Sequence, residues 1–75
     1  MEVKNIKGTR DYIDVYYDDN VVRIPGELII GGFIAEESGI DEWKDGKPIS
    51  EAERKEIIDS VIAKTKGSHM VITFE

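Results

Sequence analysis

Ser50-Glu51-Ala52-Glu53-Arg54-Lys55-Glu56-Ile57-Ile58-Asp59-Ser60-Val61-Ile62-Ala63-Lys64-Thr65-Lys66-Gly67 is a helix with both ends written into it. The Ser50 hydroxyl can accept from the Glu53 amide while the Glu53 carboxylate reaches back to the Ser50 amide, which is a capping box. Pro48 discourages an earlier start, and Glu51 and Glu53 suit the positive end of the helix dipole. Lys64 and Lys66 suit the negative end, and Gly67 stops the helix. The spacing therefore predicts a helix from about Glu51 to Lys66. Ile57, Ile58, Val61 and Ile62 fall within an arc of about 140°, with Arg54 and Thr65 along its middle, so one face packs on a sheet.

The sheet is read outward from that helix. Downstream, Met70, Ile72 and Phe74 alternate with Val71 and Thr73 and give a final strand. Upstream, Tyr12 to Tyr17 is β-branched and aromatic, Asp18-Asp19-Asn20 interrupts, and Val21 to Ile24 resumes, which reads as a hairpin. Pro25-Gly26 marks a second turn; Glu27 to Ile30 and Phe33 to Glu36 then read as two short strands or as one strand bent at Gly31-Gly32. A first strand is placed around Val3 to Ile6, ending near Gly8, and Ser38 to Lys47 reads as an irregular connection. The expected fold is α+β: a small antiparallel sheet of about five strands, with one C-terminal amphipathic helix on one face, then the last strand.

Seventy-five residues suit one domain, residues 1–75, since a chain of this length buries only about 60% of its unfolded surface. Hydrophobic residues make up 40% and charged residues 35%, which is a globular rather than a disordered balance. There is no cysteine, so neither disulfides nor thiolate metal sites are available, and a reducing cytoplasm is the expected setting. The longest apolar stretch, Leu28 to Ala35, is broken by Gly31-Gly32 and too short to span a bilayer; neither export nor membrane insertion is expected.

The residue inventory argues for binding rather than chemistry. His69 is the only histidine, and no acid or serine is arranged around it locally as in a triad, so it reads as a solvated loop residue. Asp18-Asp19-Asn20 and Asp41-Glu42 lack calcium-loop spacing, and turn chemistry accounts for the first. No enzymatic activity, metal or cofactor is expected. Sixteen acids against ten bases give a charge of −6, which opposes nucleic-acid binding and favours a cationic partner. Residues 26–50 hold six acids and two bases, so steering toward a partner should originate there.

Two places are candidate recognition surfaces. If Ile13, Val15 and Tyr17 point inward with Val22 and Ile24, then Tyr12, Tyr16, Val21 and Arg23 line the face the helix leaves uncovered. That face suits recognition or dimerisation, or else is an ordinary solvated surface with tyrosines shielding backbone. Trp43 either anchors a partner within a ring of carboxylates or closes the core over a helix end. Glu36, Glu37, Asp41, Glu42 and Asp45 stay exposed under both readings. Arg54 is expected to lay its stem along the core edge, its guanidinium in solvent or paired with a sheet carboxylate.

The run Val22-Arg23-Ile24-Pro25-Gly26-Glu27-Leu28, then Phe33, Trp43, Pro48-Ile49-Ser50 opening a helix with Ile57-Ile58, and closing Phe74-Glu75, resembles a small immunity-protein family of bacterial polymorphic toxin systems, immunity protein 74. The resemblance covers most of the chain and brings no catalytic motif. It implies a cytoplasmic protein that binds the toxic C-terminal domain of a cognate effector and blocks its active site or substrate access. Such a toxin domain is expected to be basic. Glu36, Glu37, Asp41, Glu42 and Asp45 would then supply the attracting field, with Tyr12, Tyr16 and Trp43 as anchors. The alternative is a self-associating module that uses the uncovered sheet face; monomer and homodimer both remain open.

Overall fold

A computed structural model describes residues 1–75. Five strands and one helix follow in the order β1 (Asn5–Gly8), β2 (Tyr12–Tyr16), β3 (Val21–Ile29), β4 (Gly32–Ala35), α1 (Glu51–Thr65) and β5 (Val71–Phe74), with a short 3-10 turn at Glu37–Gly39. The fold is α+β, with the last strand after the helix, and the strands lie in sequence order across one curled sheet. Antiparallel pairing joins β1 to β2, β2 to β3 and β3 to β4. The last pairing, β4 with β5, is parallel, so the sheet is mixed rather than antiparallel throughout. The cause is the connection: residues 36–70 carry the chain through α1 and back, so β5 enters in the direction of β4.

Pro25-Gly26 lies inside β3 and is not a turn. β3 changes partner there: Tyr16 to Tyr12 lie opposite Val21 to Pro25, whereas Ala35 to Gly32 lie opposite Gly26 to Ile29. The sheet curls at this handover. Gly26 is required by close approach, because a Cβ at that position would collide with the Ile34 carbonyl oxygen and the Phe33 ring and stand 2.9 Å from the Ala35 Cα. The turn falls instead at Ile30-Gly31, where Gly31 takes φ +82°, so Glu27 to Ile29 is the end of β3 and Phe33 to Ala35 belongs to β4. β1 sits two residues later than the sequence suggests, although Val3 is still buried.

α1 forms as its sequence requires. The Ser50 hydroxyl accepts from the Glu53 amide at 3.1 Å, and the Ser50 amide donates to a Glu53 carboxylate oxygen at 3.0 Å. Ile57 and Val61 are wholly buried and Thr65 nearly so, whereas Ile62 is exposed. At 100° per residue Ile62 stands about 100° from the centre of the Ile57–Val61–Thr65 stripe, so the helix turns it past the sheet. Thr65 ties the helix to β5: its hydroxyl donates to the Val61 carbonyl (3.0 Å) and accepts from the Ile72 amide (3.2 Å). After α1, the Ser68 hydroxyl donates toward the Thr65 and Met70 carbonyls (2.8 Å each) and so holds the loop that returns to β5.

The core is one cluster of 14 buried apolar residues between sheet and helix. Ile13, Val15, Tyr17, Val22 and Ile24 all point into it, as strand alternation predicts. Tyr17 reaches the helix, with its hydroxyl 2.7 Å from that of Ser60. Ser60 spends its own proton on the Ile57 carbonyl, so Tyr17 is the donor in that bond. Burial pushes the Tyr17 phenol above its ordinary range, with the Ser60 bond opposing.

Candidate partner-binding site

The uncovered face carries side chains of β1, β2 and β3 that alternate away from the core. Tyr12 and Tyr16 are half-buried there, and between them Asp14 is almost wholly buried. Asp14 and Arg23 lie directly opposite in the register, and the guanidinium makes a two-pronged bond to the carboxylate at 2.8 and 3.0 Å. The Arg23 bonds hold the Asp14 carboxyl below the usual carboxylate range, against the opposing effect of burial, and Lys44 Nζ at 3.9 Å adds to the lowering. Arg23 also stacks on the Tyr12 ring at 3.9 Å, and Lys7 stands 5.6 Å over the ring of Tyr16. One face of each tyrosine ring is therefore covered by a cation of the same chain.

The acidic segment borders this face. In its first half β3 pairs with β2 on one side, and the chain after β4 runs antiparallel along the other. The Glu36 amide donates to the Pro25 carbonyl at 2.8 Å, and the Lys44 amide donates to the Val21 carbonyl at 2.8 Å. Between those points Ile40 is wholly buried and Arg54 Nε donates to the Ile40 carbonyl at 3.0 Å, so Arg54 ties helix to loop rather than pairing with a sheet carboxylate. The Ile49 amide donates to the Asp41 carbonyl, and Trp43 is held by the Lys47 carbonyl through its own amide. A loop pinned this often presents its acids from a fixed backbone.

Glu36, Glu37, Asp41, Glu42 and Asp45 are all exposed. They are spread along the loop rather than gathered at one point. Glu36 and Glu37 stand at its Pro25 end, where the Glu37 amide donates to the Glu75 carbonyl; Asp41 and Glu42 lie midway; Asp45 stands at the Val21 end and accepts from Asn20 Nδ2 at 3.1 Å. Only the Lys44–Asp45 end meets the tyrosine face directly, through the Lys44–Asp14 ion pair. No group of three or more acidic or histidine side chains converges as a cation site would require. His69 is exposed in the loop before β5.

Trp43 is a core residue. Only 8% of it is exposed, and its ring meets Tyr17 edge-on at 5.8 Å and 87°. In that position it closes the core beneath the acidic loop, and only a small part of it reaches the surface, in a groove shared with Tyr17, Asn20 and Pro48. Asp14, Arg23 and Lys44 are members of this surface that sequence reasoning did not assemble. The first two meet because the turn is the two residues Asp18-Asp19: the Tyr17 amide donates to the Asn20 carbonyl at 2.9 Å, and that register sets Asp14 opposite Arg23. Lys44 reaches them only through the path of the loop.

Fold and surface together define a small α+β fold in which a pinned acidic loop borders a half-buried, cation-capped tyrosine face. No helix in it is long and apolar enough to cross a membrane. The chain belongs to the immunity protein 74 family, whose family model matches residues 5–75. It is accordingly an immunity protein of toxin systems. No curated protein and no solved structure matches it.

Proposed function

We propose that this protein binds the toxic domain of one cognate polymorphic toxin in the cytoplasm and neutralises it by covering the active site or the path of its substrate. Family membership over residues 5–75 carries the reading. The surface supports it: five exposed acids on a fixed loop give a directional negative field, and proteins that act on nucleic acid are usually basic. The acids of residues 36–45 steer the toxin domain in, and the edges of Tyr12 and Tyr16 supply the desolvated contacts that hold it. The Arg23 and Lys7 cations keep those rings in place. No catalytic step is assigned to this chain.

The test is capture of the tagged protein from its own source cells at moderate salt, followed by mass spectrometry of any stoichiometric partner. The expected partner is the C-terminal fragment of a large secreted protein, whose expression arrests growth unless this chain is co-expressed. Recovery of no such fragment, or a captured domain that stays toxic in the presence of this chain, overturns the reading. With the toxin domain in hand, the triple variant Glu37→Lys, Asp41→Lys, Glu42→Lys should slow association by about tenfold or more and flatten its salt dependence. An unchanged rate would remove the loop from the mechanism.

A further inference from the structure

The sheet ends in an apolar tip that the acidic loop does not reach. Gly31 at φ +82° closes the β3–β4 turn and leaves Ile30 at its apex with 104% of its reference surface in solvent. Leu28, Ile29, Met70 and Val71 around it are each more than two-fifths exposed. The register explains the cluster. Ile29, Gly32 and Val71 lie side by side across β3, β4 and β5, so Ile29 and Val71 flank a glycine on the outer face. Leu28 pairs with Phe33 on the core side and, with Met70, borders a groove of about 300 Å³ that opens beside the tip between these residues, Ile13 and the Gly8–Arg10 turn.

We propose that this tip is a homodimer surface, on which the Ile30 of each copy seats in the Leu28–Phe33–Met70 groove of the other. Knob and groove stand next to each other at one end of the molecule, as a two-fold axis needs if each copy is to fill the other's groove while its own is filled. The five tip residues expose on the order of 500 Å² in all, so two copies that cover each other's tips bury up to about 1,000 Å², the low end of specific interfaces and in keeping with a weak dimer. The groove itself carries little of the net charge of −6. Arg10 is the sole charged residue lining the groove. Glu36, bonded at Pro25, lies about 16 Å of strand from Ile30, beyond a Debye length of about 8 Å at physiological salt. Beyond the groove, one cleft is lined by Arg10 with Asp11, Glu27, Glu36 and Glu75, a mainly acidic border whose repulsion between copies salt should screen.

Sedimentation equilibrium of the full chain, alone, tests this apart from the toxin reading. The mass should rise from 8.5 kDa toward twice that value, with a midpoint on the order of 10–100 µM. Ile30→Asp should hold the chain monomeric with an unchanged circular dichroism spectrum, since the side chain it replaces touches no core. Ile62→Asp, at a residue 44% exposed but away from the tip, should dimerise like the parent. A monomer throughout the range overturns the proposal, as does a dimer that survives Ile30→Asp. A dimer lost on Tyr16→Glu but kept in Ile30→Asp would place self-association on the uncovered sheet face and equally overturn it. A monomer whose capture of a toxin domain weakens on Ile30→Asp would assign the tip to the toxin instead.

Discussion

Trp43→Ala tests the claim that the acidic loop is held by the core. Truncating a buried tryptophan costs about 3–5 kcal/mol, and loss of the edge-on contact with Tyr17 falls within that figure. At 8% exposure little of this is recovered by water entering from the surface. For a chain of this length the whole folding stability is about 4–11 kcal/mol, so the variant should lose from about a quarter to all of it. With m about 1 kcal/mol per M, the urea midpoint should fall by about 3 M or the cooperative transition should vanish. Far-ultraviolet circular dichroism is the assay, because the substitution removes the only tryptophan fluorophore. Trp43→Phe, which keeps an aromatic ring against Tyr17, should cost less than half as much and leave toxin association unchanged. A loss under about 1 kcal/mol for the alanine variant would make the ring peripheral and leave the loop held by its backbone bonds alone.

Further outcomes follow from the same geometry. Gly26→Ala should destabilise by about 3 kcal/mol or more, since its Cβ meets the backbone of β4 rather than a movable side chain; a midpoint unchanged in urea would show that β3 and β4 can separate freely. Ser50→Ala should cost about 1 kcal/mol by removing half of the capping box, and wild-type stability would mean that water caps the helix equally well. Asp14 should make stability pH-dependent on the acid side. Its carboxyl has a lower pKa folded than unfolded, so the ionised group stabilises the fold above about pH 4 and that contribution is lost as pH falls through the lowered value. Asp14→Asn should therefore flatten the fall in stability between about pH 5 and pH 2, and parallel curves for the two proteins would count against the Arg23 pairing.

The elements that could be read from the sequence are those built by neighbours in the chain. Ser50 and Glu53 are three residues apart, Asp18-Asp19-Asn20 separates the two halves of one hairpin, and Tyr17, Val15 and Ile13 alternate by the pleat alone; each signal lies within a few residues of the structure it specifies. The order of short motifs from Val22 to Phe74 likewise sufficed for family membership. Of the candidate site, the exposure of Glu36, Glu37, Asp41, Glu42 and Asp45 and the shared face of Tyr12 and Tyr16 followed from charge and alternation.

Contacts between residues far apart in the chain settled the rest. Pro25-Gly26 has the composition of a turn, yet packing against β4 keeps it extended, because the missing Cβ of Gly26 is what lets the strands close. Trp43 sits among charges and becomes core because Tyr17, 26 residues earlier, packs against it at a near right angle. Ile62 matches the apolar period and is left in water because a helix on one sheet buries a narrower stripe than its sequence offers. The parallel entry of β5, which completes the exposed tip at Ile30, is set by the path of residues 36–70 across the core. Local hydrogen-bond chemistry fixes each element; which surfaces remain for a partner is fixed by which of those elements bury one another.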